Sequence, residues 1–207
     1  ILGGYIIGGH AFYGCSSLGS ITLPESLTEI GTYAFSGCGL LEGITIPNQV
    51  KVIGSNAFNG CKELLYVDIG NNVTSIGNGT FSGCVKLTSV VIPDSVKNLG
   101  SNAFSGCTRL SSIDLGKVES LGAYVFNGCT SLKSIRIPKT LKSANADGTF
   151  NKSSIETAVF EEGIANIPAY TFWYCSTLKS VTLPEKDDTD ILGGYIIGGH
   201  AFYGCSS

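Results

Sequence analysis

A four-residue box, F-x-G-C or a close edit of it, returns along the whole chain at almost one interval. Its phenylalanines are Phe12, Phe35, Phe58, Phe81, Phe104, Phe126, Phe150, Phe172 and Phe202, spaced by 23, 23, 23, 23, 22, 24, 22 and 30 residues. A fixed period in the range of roughly 20 to 50 residues is the mark of a solenoid, in which a unit buries its apolar side only against its neighbours. The 207 residues therefore cannot be divided into domains by length alone, because no turn has a core of its own. A chain of this kind carries its function on a surface rather than in a pocket.

Within each unit the box is followed by an L-x-x-V-x-I-P run and then a V-x-x-L-G run. Representative first runs are Leu41/Ile44/Ile46, Leu64/Val67/Ile69, Leu87/Val90/Ile92 and Leu132/Ile135/Ile137, with Leu18/Ile21/Leu23 the earliest. Apolar residues at i and i+2, enriched in β-branched side chains, predict a short strand with one buried face, and eight such runs in register predict a parallel sheet. Pro or Gly closes most of them (Pro24, Pro47, Gly70, Pro93, Gly116, Pro138, Pro184), where the chain bends with least harm to a ladder. The second run, as in Val50/Ile53, Val73/Ile76 and Val96/Leu99, predicts a narrower parallel ladder, and the box a tight turn or a single helical turn on the far edge.

The eight cysteines, Cys15, Cys38, Cys61, Cys84, Cys107, Cys129, Cys175 and Cys205, each lie three residues after a box phenylalanine. One thiol per turn at one address predicts a buried column of small hydrophobes. Bonded neighbour pairs and zinc are the alternatives, weakened by the side-chain geometry a disulfide needs and by the absence of a C-x-x-C pair.

The chain divides into a partial first turn (1–17), regular turns (18–184), an acidic insertion (185–190) and residues 191–207, which repeat 1–17 letter for letter. The seventh turn is the least regular, with Ser153 in place of the box cysteine. The duplication predicts a parent array in which a block of eight turns is itself repeated, an artificial duplication being the rival account. Without a methionine or a leader, the chain reads as a mature or trimmed piece of something longer. Unpaired strand edges at the ends predict end-to-end association of chains.

Composition closes off several function classes. Charged residues are 14% against 43% hydrophobic, where about 25% charged is usual. The net charge is −3 and the basic residues are scattered, so nucleic acid, which needs a basic stripe, is not an expected partner. The most apolar run, Ile191 to Cys205, falls short of the ~20 residues of a spanning helix, so no membrane insertion is expected. His10 and His200, the only histidines, are copies of one site at a link address held elsewhere by Tyr33, Asn56, Asn102, Tyr124 and Tyr170, which predicts a loop role rather than general-base duty. No G-x-S-x-G or dinucleotide fingerprint is present. Asp187, Asp188 and Asp190 read as a solvated loop, a weak Ca²⁺ site being the alternative. Neither an enzyme nor a cofactor or metal is expected.

The pattern I-G-x-x-A-F-x-G-C-x-x-L-x-x-I-x-I-P-x-x-V, met closely at Ile30 to Val50, Ile53 to Val73, Ile76 to Val96 and Leu99 to Val118, resembles the BspA-like class of leucine-rich repeat. The resemblance covers essentially the whole chain. It implies a mainly β repeat solenoid, a right-handed leucine-rich-repeat coil of about eight turns of 22–24 residues. A parallel concave sheet, a second narrow ladder and short turns or single helical turns on the far edge would complete it. It also implies an extracellular or cell-surface protein that adheres to host matrix proteins or other cells.

If a protein or glycoprotein partner is bound, its contacts would lie on outward strand positions. Most of these are small and polar, which suits a quiet face. Tyr66, Asp68, Val91, Asp114 and Arg136, on adjacent rungs, depart from that pattern and form the first candidate patch, an aromatic anchor among charges. Trp173 and Tyr174, standing where other turns place Ser-Gly or Asn-Gly, form the second, with packing over the seventh turn as the alternative. A structural spacer made of stacked blocks is the competing function.

Overall fold

The box phenylalanines form one continuous column. In the computed structural model, which describes residues 4–184 and 196–206, consecutive rings from Phe12 to Phe202 stack with centroids 4.6–6.0 Å apart and planes within 3–15° of parallel. Eight turns separate the first ring from the last. Phe35 through Phe172 are fully buried, whereas Phe12 and Phe202, each covered by a described turn on one side only, are partly so. The solenoid is all β and turn, with no helix among the described residues.

The ladders lie on either side of this column, with their relative importance reversed from the sequence expectation. The narrow run builds the longer sheet: Tyr5–Ile7, Leu27–Ile30, Val52–Ile53, Ser75–Ile76, Asn98–Leu99, Ser120–Leu121 and Ser143–Ala144 pair in parallel without a break, and Asn166–Ile167 then pairs with Ile196–Ile197. The lapse falls at the irregular seventh turn. The L-x-x-V-x-I-P runs instead form three separate parallel pieces: Gly43–Ile46 with Tyr66–Ile69, Ser89–Val91 with Ser112–Asp114, and Ser134–Ile137 with Thr157–Phe160 and Ser180–Thr182. The break after Asp114 coincides with the residue missing between Leu115 and Val118. Residues 18–23 form no strand; Gly19 interrupts the run at the edge, and glycine weakens a strand. Burial alternates as the sequence requires, for example exposed–buried–exposed–buried along Tyr66–Ile69 and Ser134–Ile137. Proline or glycine carbonyls open the turn after each strand, as Pro47 does in accepting from the Val50 N–H at 3.0 Å.

A third set of contacts, in the box itself, joins the turns. The Phe35 N–H donates to the Ala57 carbonyl of the next turn at 2.7 Å and the Gly37 N–H to Asn59 at 2.7 Å, and the same pattern recurs around Phe12, Phe58, Phe81 and Phe104. Here the tight-turn alternative holds: each box cysteine N–H returns to its own phenylalanine carbonyl, 3.1 Å from Cys38 to Phe35.

That same carbonyl accepts a second donor. The Cys61 thiol reaches the Phe35 carbonyl at 3.3 Å, Cys84 reaches Phe58 at 3.3 Å and Cys107 reaches Phe81 at 3.1 Å, so each thiol points to the turn before its own. All eight cysteines are free, and six are buried. Cys15 is exposed and Cys205 half-buried, which corrects the expectation of a uniformly buried column. The direction of the thiol is the reason: no described turn precedes Cys15, whereas Cys205 has the Phe172 carbonyl at 3.2 Å but no described turn above it. Burial pushes the Cys61 and Cys129 thiols up to about 12 and those of Cys84 and Cys107 higher still.

Close approach of turns is set by the glycine that ends the narrow run. A Cβ built on Gly54 would lie 2.6 Å from the Thr32 nitrogen of the preceding turn, and at Gly77, Gly100 and Gly122 the clash is as severe. Ion pairs between neighbouring turns edge the stack, with Glu119 between Lys97 (3.9 Å) and Lys142 (2.6 Å), Glu156 between Lys133 (3.4 Å) and Lys179 (2.7 Å), and Lys86 on Glu63. Such exposed pairs contribute roughly 0–1 kcal/mol each.

Two consequences are open to measurement. Phe81→Ala opens a cavity between two filled turns and is expected to cost about 3–5 kcal/mol by denaturant unfolding, with Phe12→Ala, half-covered, costing clearly less. For the thiols, the unfolded chain releases protons near the ordinary value of 9.0 while Cys61 and Cys129 hold theirs to about 12. The unfolded state then binds fewer protons than the native one, so stability falls as pH rises through that window and is unaffected by these thiols below it. Denaturant midpoints measured from about pH 8 to about pH 11 should decline, less steeply in Cys84→Ala.

Candidate binding surface

The first candidate patch lies on one exposed column crossing all three pieces of the interrupted sheet. Register puts Asp68 beside Thr45, Val91 beside Asp114, and Arg136 beside Val159. The steps from Asp68 to Val91 and from Asp114 to Arg136 are not ladder pairs, so the five residues share a face without sharing a sheet. Tyr66 is 56% exposed and Val91 68%, large apolar groups on a face that is otherwise Ser and Thr.

The side chains differ in how free they are. Tyr66 lies across Gly43: a Cβ there would meet its ring carbons at 2.1 and 2.2 Å. The neighbouring glycine thus leaves room for a ring laid flat along the sheet, a relation visible in the sequence only once Gly43 and Tyr66 are placed side by side. Arg136 turns to the next rung, its Nε donating to Glu161 Oε1 at 3.0 Å, while Glu161 Oε2 accepts from the Lys139 N–H at 3.1 Å. This pair edges a groove of about 570 Å³ lined also by Phe160, Thr182 and Leu183. Asp114 Oδ1 accepts from the Gly116 N–H at 3.0 Å and so closes the shortened corner. Tyr66, Asp68 and Val91 make the part of the patch with no such engagement among the described residues.

The second candidate belongs to a larger aromatic group. Trp173 is half-buried, its ring 3.4 Å from where a Gly148 Cβ would stand in the seventh turn. It meets Tyr170 and Tyr174 edge-on at 6.2 and 4.7 Å. Tyr170 stacks on His200 at 5.5 Å with planes 2° apart, and Tyr174 meets Tyr203 edge-on at 5.5 Å. Sequence reasoning missed Tyr170, His200 and Tyr203 as partners; the available signal was that Tyr170 and His200 share one repeat address. That address is left-handed in almost every turn, with φ between 55° and 61° at His10, Tyr33, Asn56, Asn102, Tyr124, Tyr170 and His200, so both histidines serve as turn residues. Tyr174 occupies the box-glycine address with φ 52°, a conformation that costs a non-glycine residue of order 1–2 kcal/mol. Its ring lies against Gly204, where a Cβ would meet it at 2.7 Å.

No group of three or more metal-ligating side chains occurs among the described residues, and no helix there is long and apolar enough to cross a membrane. The acidic residues Asp187, Asp188 and Asp190 lie outside the described residues. Thr80, Thr149 and Thr171, the buried polar groups beside the phenylalanine column, all donate to backbone carbonyls, and nothing in this interior is arranged as a nucleophile with a base.

A family model described as the BspA-type leucine-rich repeat region, in six copies, matches residues 4–111 and 108–207. Among solved structures, a leucine-rich repeat protein from Bacteroides ovatus is 31% identical, with a TM-score of 0.70, over 97% of this chain and 56% of its own. A leucine-rich cell surface protein from Faecalibacterium prausnitzii is 29% identical, TM-score 0.55, over 87% of this chain and 57% of its own. The chain therefore spans just over half the length of each. A leucine-rich repeat protein of T. pallidum, 24% identical with a TM-score of 0.62 over 99% of this chain and 82% of its own, shares the fold. No curated protein matches.

Trp173→Ala removes the ring that spans Gly148, Tyr170 and Tyr174. It is expected to lower stability by roughly 1–3 kcal/mol, within the range of a half-buried truncation, and thermal melting checks this. An unchanged melting temperature would assign Trp173 to contact with a partner instead.

Proposed function

The chain belongs to the BspA-type leucine-rich repeat family, and from that premise we propose a non-enzymatic interaction module of an extracellular or cell-surface protein, adhering to host extracellular matrix proteins or to other cells. The observation that carries the reading is the exposed pair Tyr66 and Val91 on a sheet face otherwise built of small polar side chains. A single aromatic anchor with an aliphatic neighbour and a charged fringe is the composition of an interface centre. Asp68 supplies the unengaged charge, Asp114 and Arg136 the fringe, and Trp173 with Tyr174 a second contact at the far end. The partner is a protein or glycoprotein. The F. prausnitzii relative, a leucine-rich cell surface protein, supports the location. Open turns at the ends also favour end-to-end association.

Binding of the chain to immobilised matrix proteins, measured by surface plasmon resonance, tests the proposal. Tyr66→Ala is expected to weaken binding roughly tenfold or more, as loss of an anchor does, and Arg136→Glu to weaken it less, with melting unchanged in both. A chain that binds nothing across a broad matrix panel would be a spacer.

A further inference from the structure

Residues 1–17 and 191–207 are one sequence occurring twice, and the structure displays that unit from opposite sides. The first copy has its upper face covered. His10, Phe12 and Gly14 donate their N–H groups to Thr32, Ala34 and Ser36 at 3.0, 2.7 and 2.8 Å, the Gly31 N–H donates to Ile7, and the Cys38 thiol reaches the Phe12 carbonyl at 3.2 Å. The last copy has its lower face covered. The Gly198 N–H donates to Ile167 at 2.8 Å, the N–H groups of Phe172 and Tyr174 donate to Ala201 and Tyr203 at 2.7 and 2.8 Å, and its Cys205 thiol reaches Phe172. The His200, Phe202 and Gly204 N–H groups, counterparts of the donors that seat the first copy, donate to none of the described residues.

What covers the bare upper face of the last turn is therefore already visible: the turn around Leu27–Cys38, which covers the identical residues of the first copy. We propose that the last turn of one chain replaces the first turn of another, linking chains head to tail by exchange of the duplicated unit. The partner is a second copy of this chain. Before exchange, two copies of the unit are each covered on one face; afterwards one copy is covered on both faces and the other is released. The number of turn-to-turn interfaces stays the same while the released segment regains conformational freedom. The join is heterologous and does not close on itself, so it extends into linear assemblies. His200 then lies between Tyr170, on which it stacks at 5.5 Å, and Tyr33 of the next chain, on which the identical His10 stacks at 5.0 Å. This specifies the mode of the end-to-end association proposed above and is independent of matrix binding.

Two glycines at the same position of the duplicated unit provide the test. A Cβ on Gly198 would lie 2.3 Å from the Ala169 nitrogen, whereas one on Gly8 would meet nothing within 4 Å. Gly198→Val unseats the last turn. Gly8→Val alters only the copy that exchange releases, yet it would obstruct a last turn stacking directly beneath an intact first turn. Sedimentation of the full chain at rising concentration should give integral multiples of the chain mass for the parent and for Gly8→Val, and the single-chain mass for Gly198→Val. Hydrogen exchange in the assemblies should show loss of protection at Phe12 and Gly14. A parent that stays monomeric, a Gly8→Val chain that fails to assemble, a Gly198→Val chain that does assemble, or retained protection at Phe12 would each overturn the proposal. None of these results bears on the matrix-binding measurement.

Discussion

A single turn of this chain is too thin to have an inside. Its phenylalanine, cysteine and strand leucines face a neighbour or face water, and the parallel ring stack from Phe12 to Phe202 is the form that burial takes when every unit offers the same group at the same height. The phenylalanine carbonyl reinforces this arrangement, because it accepts from the N–H of its own cysteine and from the thiol of the next. A thiol suits the place, being small, apolar enough to be buried and still able to donate. The seventh turn lacks its thiol, and the pattern shifts there: with Ser153 in its place, Cys175 lies 3.6 Å from the serine oxygen and 3.8 Å from the Ile155 carbonyl instead of reaching Phe150.

Period alone made most of the core legible. Residues sharing an address share a column, so the buried sets of Phe, Cys, Leu and Val could be written down from spacing. Ladder continuity could not be read this way. Strand pairing depends on whether facing N–H and C=O groups align within a few tenths of an ångström, and apolar alternation does not encode that. The narrow run, marked in the sequence by only two apolar residues and a glycine, pairs across seven strands because Gly54 and its equivalents let the backbones approach. The richer run breaks into three pieces. The end thiols escaped for another reason: identity of address implies identity of surroundings only where a turn lies on each side.

On the candidate surface, sequence located the unusual residues but not their engagements. Tyr66 stood out by type, yet its posture depends on Gly43 one turn earlier. Arg136 stood out by charge, yet Glu161 takes up its guanidinium. Both relations run between turns, about 23 residues apart in sequence, and become readable only when the repeat is written as stacked rows. The same rows place Tyr170, Trp173, Tyr174, His200 and Tyr203 in one aromatic group where the duplicated unit meets the eighth turn.

Near-identical turns leave a folding chain with a counting problem, since any turn could settle on one that is not its neighbour. The glutamates between lysines bear on this. Along Lys97–Glu119–Lys142 and Lys133–Glu156–Lys179 the sign of charge alternates from turn to turn, so that skipping one turn would set lysine against lysine. Modest as each pair is in the finished stack, the alternation gives odd and even turns different labels, and a misthreaded array meets repulsion where the correct one meets attraction.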